Sequence, residues 1–474
     1  TFMWARGHDG RAIEVNFHLP AGSSWKAATQ LFPTDDPWVF TAPDFQYFMD
    51  SPTELSDFDL REWQVEGPDG SATFRLAVHH TGTAAEVDAY AEWVKAIVAE
   101  EIAVFGEPAP FDGGTYTFIA DYLPWASGDG MEHRNSTILS SSSSLARNAR
   151  GLIGTVSHEF FHSWNVERIR PRSLEPFDFE RANMSRELWF AEGFTSYYTA
   201  LFLKRAGILD FEQYATGLVG GIDFVQNSPG RRFFGPAEMS MQAPFVDAST
   251  AIDPNNRTNT FISYYTYGSV IGLGLDLTLR ARFGQTLDDF MRHMWAVHGK
   301  PEVPYVVEDI ERELGVFTGD KEFASDFFDR YVRGSELPDY STLLSRAGLL
   351  LRERASDDAF LGGARVREAE GGLEVVTGTR IGSPLYEAGV DRGDLIASIG
   401  DRTLTSAADW QAVRRTHAPG DETTIVFESR GRRKTAQIRF SADPRLEVVT
   451  FESAGMPVTD AMREFRGAWT DSRR

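Results

Sequence analysis

The chain contains no cysteine, and that absence removes more chemistry than any other feature of its composition. Disulfides, thiolate metal ligands and a cysteine nucleophile are all excluded, so any metal must be held by histidine and carboxylate. Long apolar runs are missing too: no uninterrupted stretch approaches the ~18 residues that a membrane-spanning helix needs. Positive charge is scarce, with 47 lysines and arginines against 69 aspartates and glutamates in 474 residues. The formal charge of −22 argues against nucleic acid or an anionic membrane as the main partner. It names no substrate, because acidic surfaces usually serve solubility. Apolar residues at 42% and charged residues at 24% are those of an ordinary globular protein, and the length allows roughly two to four domains.

What the chain does have is His158-Glu159-Phe160-Phe161-His162. On a helix, residues i and i+4 share a face, so two imidazoles converge there on one point and can grip one metal ion. Zinc takes neutral imidazole nitrogen and keeps a position open for water in catalytic sites. Glu159, beside the first histidine, is placed to take a proton from that water. The pattern fixes only three of five positions, and two helix histidines packed on a core would look the same. Context therefore decides. A catalytic zinc needs a third protein ligand, and Glu187 and Glu192 both follow. Glu192 opens an apolar run that reads as a packed helix up to Gly207, whereas Glu187 stands in a polar Arg-Glu pair suited to a solvated salt bridge. Glu192 stands ahead.

Periodicity along the chain predicts short strands in residues 1–60, such as Ile13–Phe17 ended by Pro20-Ala21-Gly22-Ser23. A strand over Thr73–Val78, a long amphipathic helix over Ala84–Phe105 and a strand over Thr115–Ala120 follow. The helix carrying the motif should run from about Leu145 to Val166, and Ser140–Ser144 should end a strand and cap that helix. Helical patterns continue through Val270–Phe283, Leu287–His298 and Phe323–Arg333. From about Ser356 the period turns short and strand-like to about Ala442, and the last thirty residues read as a polar tail or docking segment. The expected divisions are 1–60, 61–355, 356–443 and 444–474. His79-His80 reads as surface or packing rather than a metal site, and nothing local supports Ser-His-Asp catalysis.

The motif extends to Ser157-His158-Glu159-Phe160-Phe161-His162-Ser163-Trp164-Asn165-Val166-Glu167-Arg168-Ile169-Arg170-Pro171, followed by Ala191-Glu192-Gly193-Phe194. Together these resemble the gluzincin metallopeptidases, and among them the glycyl aminopeptidase family. The resemblance implies a multidomain α+β protein: an N-terminal β domain, a thermolysin-like catalytic domain of α/β plus helical halves, and a C-terminal PDZ domain. It implies one zinc per chain on His158, His162 and Glu192, and Glu159 as general base. Gly130-Met131-Glu132-His133 resembles the element that holds a substrate's free amino terminus. A carboxylate at Glu132 suits an ammonium through a charge-assisted hydrogen bond. The strand Ser136–Ser140 could pair with extended substrate by edge addition, and His133 is expected to make an orienting hydrogen bond. In Ser263-Tyr264-Tyr265-Thr266-Tyr267-Gly268 the resemblance makes Tyr265 the donor to the oxyanion, with Tyr264 in reserve.

The PDZ expectation rests on Gly382-Ser383-Pro384, Ala388-Gly389, Gly393-Asp394-Leu395-Ile396 and Ile399-Gly400-Asp401, with Phe360-Leu361-Gly362-Gly363 as a candidate carboxylate-binding loop. Its partner would be a peptide C-terminus or another part of the same chain. The activity implied is release of small amino-terminal residues, Gly or Ala, from peptides with a free amino terminus. The alternatives are a zinc endopeptidase or other zinc hydrolase, and a non-catalytic PDZ binding protein with a relic peptidase domain. The start at Thr1 and the habit of the resembling family point to a preceding signal peptide or further N-terminal residues, and to a periplasmic or secreted protein, with the cytoplasm left open.

Overall fold

Ile13-Glu14-Val15-Asn16 does form a strand, β1 (Ile13–Asn16), whose Ile13 and Val15 turn toward a small core of Leu31, Phe40 and Ala42. The computed structural model describes residues 5–68, 70–246, 253, 256–354 and 359–474. Among the described residues four more strands follow before Asp57: β2 (Lys26–Thr29), β3 (Phe32–Pro33), β4 (Val39–Ala42) and β5 (Thr53–Ser56). They form two small sheets, β1-β4-β3 and β2-β5, with a short helix, α1 (Phe45–Met49), capped by Asp44.

A larger sheet positions the histidine motif. β6 (Asp59–Gly67) pairs with β7 (Gly70–His80), and β8 (Thr115–Tyr122), β9 (Asp129–His133) and β10 (Ser136–Ser141) complete the order β6-β7-β8-β10-β9. β7, β8 and β10 are parallel, which demands crossovers, and α2 (Ala84–Phe105) supplies the first. The limits of α2 are those read from its periodicity: a Thr83/Glu86 capping box starts it and Gly106 at φ +85° ends it. One sheet face, with Phe74, Leu76, Tyr116 and Phe118, packs on α2 and on α3 (Leu145–Phe161), the motif's helix. On the other face Ala77 and Ile119 meet Ala28 and Phe58 of the N-terminal region.

Two expectations about this region are corrected. β10 is held between β8 and β9, so the strand expected to offer itself to substrate has both sides taken. The free edge is β9, which contains Gly130, Met131 and Glu132. Helix α3 ends at Phe161 rather than near Val166. Beyond His162 the chain curls through wide turns, with Glu167 N–H donating to His162 O and Ile169 N–H to Trp164 O. Trp164 and Val166 are buried by that turn, which is why their spacing imitates a continuing helix. Ser141 ends β10 and Ser144 is the N-cap residue of α3, though its hydroxyl makes no capping bond.

The helical half begins with α4 (Leu188–Arg205), which starts a turn before Glu192 rather than after it and ends before Gly207 at φ +77°. It crosses the helix Tyr264–Thr278 at backbone contact. A Cβ on Gly268 would stand 1.9 Å from Trp189 O, and one on Gly193 2.3 Å from Gly268 Cα, so only two glycines permit this approach. Helices at Phe211–Gly217, Val219–Asn227, Leu287–Met294, Val307–Thr318, Lys321–Phe327 and Tyr340–Ser345 are among those that build up this half. The expected helices agree in outline, while Phe211–Gly217, Val219–Asn227, Val307–Thr318 and Tyr340–Ser345 had no counterpart among them.

After β11 (Leu349–Glu353) comes a module with its own core, including Leu373, Leu385, Ile396 and Phe427. Its strands β12 (Val366–Ala369), β13 (Gly372–Val375), β14 (Leu395–Ile399), β15 (Arg402–Thr403), β16 (Glu422–Ser429) and β17 (Arg432–Arg439) run in the order β12-β13-β14-β16-β17, with β15 on β14. The boundary expected at 355/356 lies outside the described residues. Asn259 of the helical half holds the module, donating to Thr379 O and accepting from Ile381 N–H, each at 2.9 Å. The chain then returns: β18 (Leu446–Thr450) pairs with β11, and the helix Asp460–Thr470 buries Trp469 beside α4. Trp469 Nε1 donates to Tyr197 Oη at 2.9 Å, so the last thirty residues are docked rather than free. Among the described residues no helix is long and apolar enough to cross a membrane.

Candidate active site

Helical spacing brings the imidazoles of His158 and His162 to a centroid distance of 4.8 Å. Both point at the same atom. Glu192 Oε2 lies 3.3 Å from Nε2 of each ring. The opposite ring nitrogens are tethered. His162 Nδ1 donates to Asn165 O at 2.7 Å. Thr199 Oγ1 gives its own proton to Thr195 O, which leaves its oxygen to accept from His158 Nδ1 at 3.3 Å. Each tether fixes the tautomer whose free lone pair is on Nε2. Asn165 Nδ2 in turn donates to the carbonyls of Phe190 and Ala191, tying the turn after α3 to the start of α4.

Glu159 and Glu132 close in from the sheet side. One carboxylate oxygen of each and a ring nitrogen of His162 lie within 4.8 Å of one another. β9 runs against the Glu159 carboxyl so closely that a Cβ on Gly130 would stand 2.3 Å from its Oε1. Glycine is thus required at 130 for Glu159 to occupy its place. Met131 is half exposed on the free edge. On the other side the Tyr265 ring lies over His158 at 5.9 Å and 25°. Tyr264 and Tyr267 are buried in packing.

The electrostatics of this cage call for a cation. Burial pushes the Glu159 carboxyl well above its usual range, and Glu132 and Glu192 add to that push against His162. Burial works against a charged His162, yet Glu192, Glu132 and Glu159 together drive its basicity well up. Burial also opposes ionisation of Glu192, and the two histidines overcome it and hold that carboxyl low. Two imidazole Nε2 lone pairs and one carboxylate oxygen, with no sulfur, are the donor set that zinc takes while keeping an open position. His158, His162 and Glu192 therefore fit such an ion.

A cavity of about 670 Å³ extends from Glu132, between β9 and the N-terminal region, and is lined by Tyr47, Asp50, Met131, Glu167 and Phe177 among others. Asp50 accepts from His133 Nδ1 at 2.9 Å and from Arg134 N–H, which is the orienting hydrogen bond expected of His133. Burial and then Asp50 raise Glu167 to about 7, against the pull of Arg170. Glu187 is corrected: it is buried, accepting from Ser185 Oγ at 2.8 Å and from Val307 N–H, while Arg186 alone reaches out to Glu308. Four supporting residues had no role assigned from sequence: Asn165, Thr199, Asp50 and Glu101, the last accepting from Ser157 Oγ at 3.1 Å behind the motif. Asn165 and Ser157 stand inside the extended motif, but their partners are distant in the chain.

Almost the whole chain shares its fold with an aminopeptidase N family protein from Idiomarina loihiensis, at 23% identity and a TM-score of 0.80, covering 98% of this chain and 80% of that one. An M1 zinc metallopeptidase from Deinococcus radiodurans aligns with 69% of this chain and 64% of its own, at 16% identity and a TM-score of only 0.39. No curated protein matches the sequence significantly. Residues 151–271 match the M61 glycyl aminopeptidase profile, a segment that includes His158, Glu159, His162, Glu192 and Tyr265, and residues 1–57 match the peptidase M61 N-terminal domain. The protein is a peptidase. Its motif-bearing segment is that of the M61 glycyl aminopeptidases, and it carries the N-terminal domain of that family.

Proposed function

We propose that the protein is a zinc-dependent aminopeptidase that removes the first residue of peptides with a free amino terminus. The observation that carries this is the convergence of His158, His162 and Glu192 on one point, with Glu159 and Glu132 beside it. Zinc bound by those three residues would polarise a water and lower its pKa toward ~7. Glu159 takes that water's proton and returns it to the leaving amine. The Tyr265 phenol donates to the oxyanion, and Glu132 receives the substrate ammonium. The exposed edge of β9 aligns the peptide backbone. The preference for Gly or Ala is carried by the family resemblance alone.

Glu159→Gln should keep the metal and lose roughly 10²–10⁴-fold in release of amino-terminal residues from arylamide or peptide substrates. Undiminished turnover would reject Glu159 as the base. Amino-terminally acetylated peptides should be refused, and equal cleavage of them would favour an endopeptidase. We also propose that the module of β12–β17 is a PDZ domain whose Phe360–Gly363 loop receives a peptide carboxylate. In support, Gly362 and Gly363 take φ of +125° and +70°, as a loop of inward-turned N–H groups requires. An exported location follows from the family resemblance.

A further inference from the structure

Three more ligating side chains meet on the far face of the catalytic sheet. Side chains two apart on a strand share a face, so His79 and Asp121 extend the rows of Ala77 and Ile119 that face the N-terminal region. β7 and β8 are in register with His79 beside Asp121, and Glu54 on β5 reaches them across the seam. His79 Nδ1 lies 3.0 Å from Glu54 Oε1 and 3.5 Å from Asp121 Oδ1. One donor atom from each of the three lies within 4.8 Å of the other two. An ion with bonds of ~2.0–2.2 Å to nitrogen and oxygen spans donors up to ~4.4 Å apart, so a small side-chain shift closes this cage.

A simple ion-pair triad leaves the cluster incomplete. Two carboxylates face one imidazole, and His80 is turned away to Asp59 at 2.9 Å. Asp121 Oδ1 is shut off from solvent and has only the long 3.5 Å contact to His79 Nδ1, too long and poorly aligned for a hydrogen bond, which leaves this oxygen short of a partner. Burial and then the nearby Glu54 raise the Asp121 carboxyl, against the pull of His79. Side-chain exposures of 17% for Glu54 and 29% for His79 and Asp121 leave the seam shielded yet open to entry by an ion.

We infer that Glu54, His79 and Asp121 form a second zinc site, which ties the N-terminal β region to the catalytic sheet. It rests on its own geometry and needs no part of the proposed peptidase mechanism. The test uses the full chain, equilibrated with Zn²⁺ alone, freed of excess by dialysis, and assayed for metal by mass spectrometry. The wild type should hold two zinc ions. His79→Ala should hold one and still release amino-terminal residues, whereas His158→Ala should also hold one and release none. Added zinc should raise the Tm of His158→Ala but not that of a His79→Ala, His158→Ala double variant. If His79→Ala does not fold, the near-isosteric Glu54→Gln carries the same readout, loss of one zinc. A wild type with a single zinc, lost in His158→Ala and kept in His79→Ala, overturns the seam site while sparing the catalytic one. Equal zinc in His79→Ala and wild type overturns it as well.

Discussion

The two histidine–carboxylate clusters lie on opposite faces of one sheet and hold their imidazoles in different ways. In the cleft both rings stand on one helix, each Nδ1 is tethered to Thr199 or Asn165, and both Nε2 atoms meet Glu192. At the seam His79 stands on a strand, and its Nδ1 is itself the atom facing Glu54 and Asp121. The first arrangement fixes the direction of the lone pairs before any ligand arrives, as a site that must position a reacting water requires. The second gathers donors from three strands across a boundary, which suits joining two parts of the fold.

Substitutions can press on that contrast. Tyr265→Phe should lower kcat by roughly 10²–10³-fold with zinc content unchanged, because an oxyanion donor acts after the metal is in place. Gly268→Ala should cost about 10²-fold in kcat/KM, since its Cβ would meet Trp189 O and push Tyr265 and Glu192 apart. Asn165→Ala keeps the backbone carbonyl that accepts from His162 Nδ1 but removes the Nδ2 bonds to Phe190 O and Ala191 O that hold this carbonyl in place. Zinc binding at the cleft should therefore weaken by about 10–100-fold, with the zinc dissociation constant as the readout.

The smallest effect is expected at the seam. There the folded-state carboxyl of Asp121 is raised above its ordinary value. The folded chain thus binds this proton more tightly than the unfolded chain. Its contribution to stability is full below the ordinary carboxylate range and is lost as pH rises through the raised value. In zinc-free protein Tm should fall slightly for this reason as pH rises above the ordinary carboxylate range, and Asp121→Asn should flatten that part of the profile.

The cleft was legible in the sequence because helical spacing is local: residues 158 and 162 must share a face wherever the helix goes. The limits of α2 were legible for the same reason, with Thr83, Glu86 and Gly106 marking its ends. Strand order was not, because β10 lying inside β9 depends on pairings remote in sequence. The end of α3 was misjudged because burial of Trp164 and Val166 in a turn imitates helical periodicity. Glu187 looked solvated beside Arg186, yet its partners Ser185 and Val307 come from the turn before α4 and from a distant helix. His79 could not be told from a surface residue without the β7–β8 register that sets Asp121 beside it. Trp469 shows the same limit, as one apolar residue in a polar stretch fills a gap beside α4.

The pairing of β11 with β18 places Glu353 opposite Leu446, so everything between them leaves the catalytic core and rejoins it at neighbouring points. Such a piece behaves as a cartridge: its entry and exit share one socket, and Asn259 serves as a latch. A short bridge from β11 to β18 should let the peptidase core close without it, and a differently shaped cartridge could occupy the socket without redrawing the cleft.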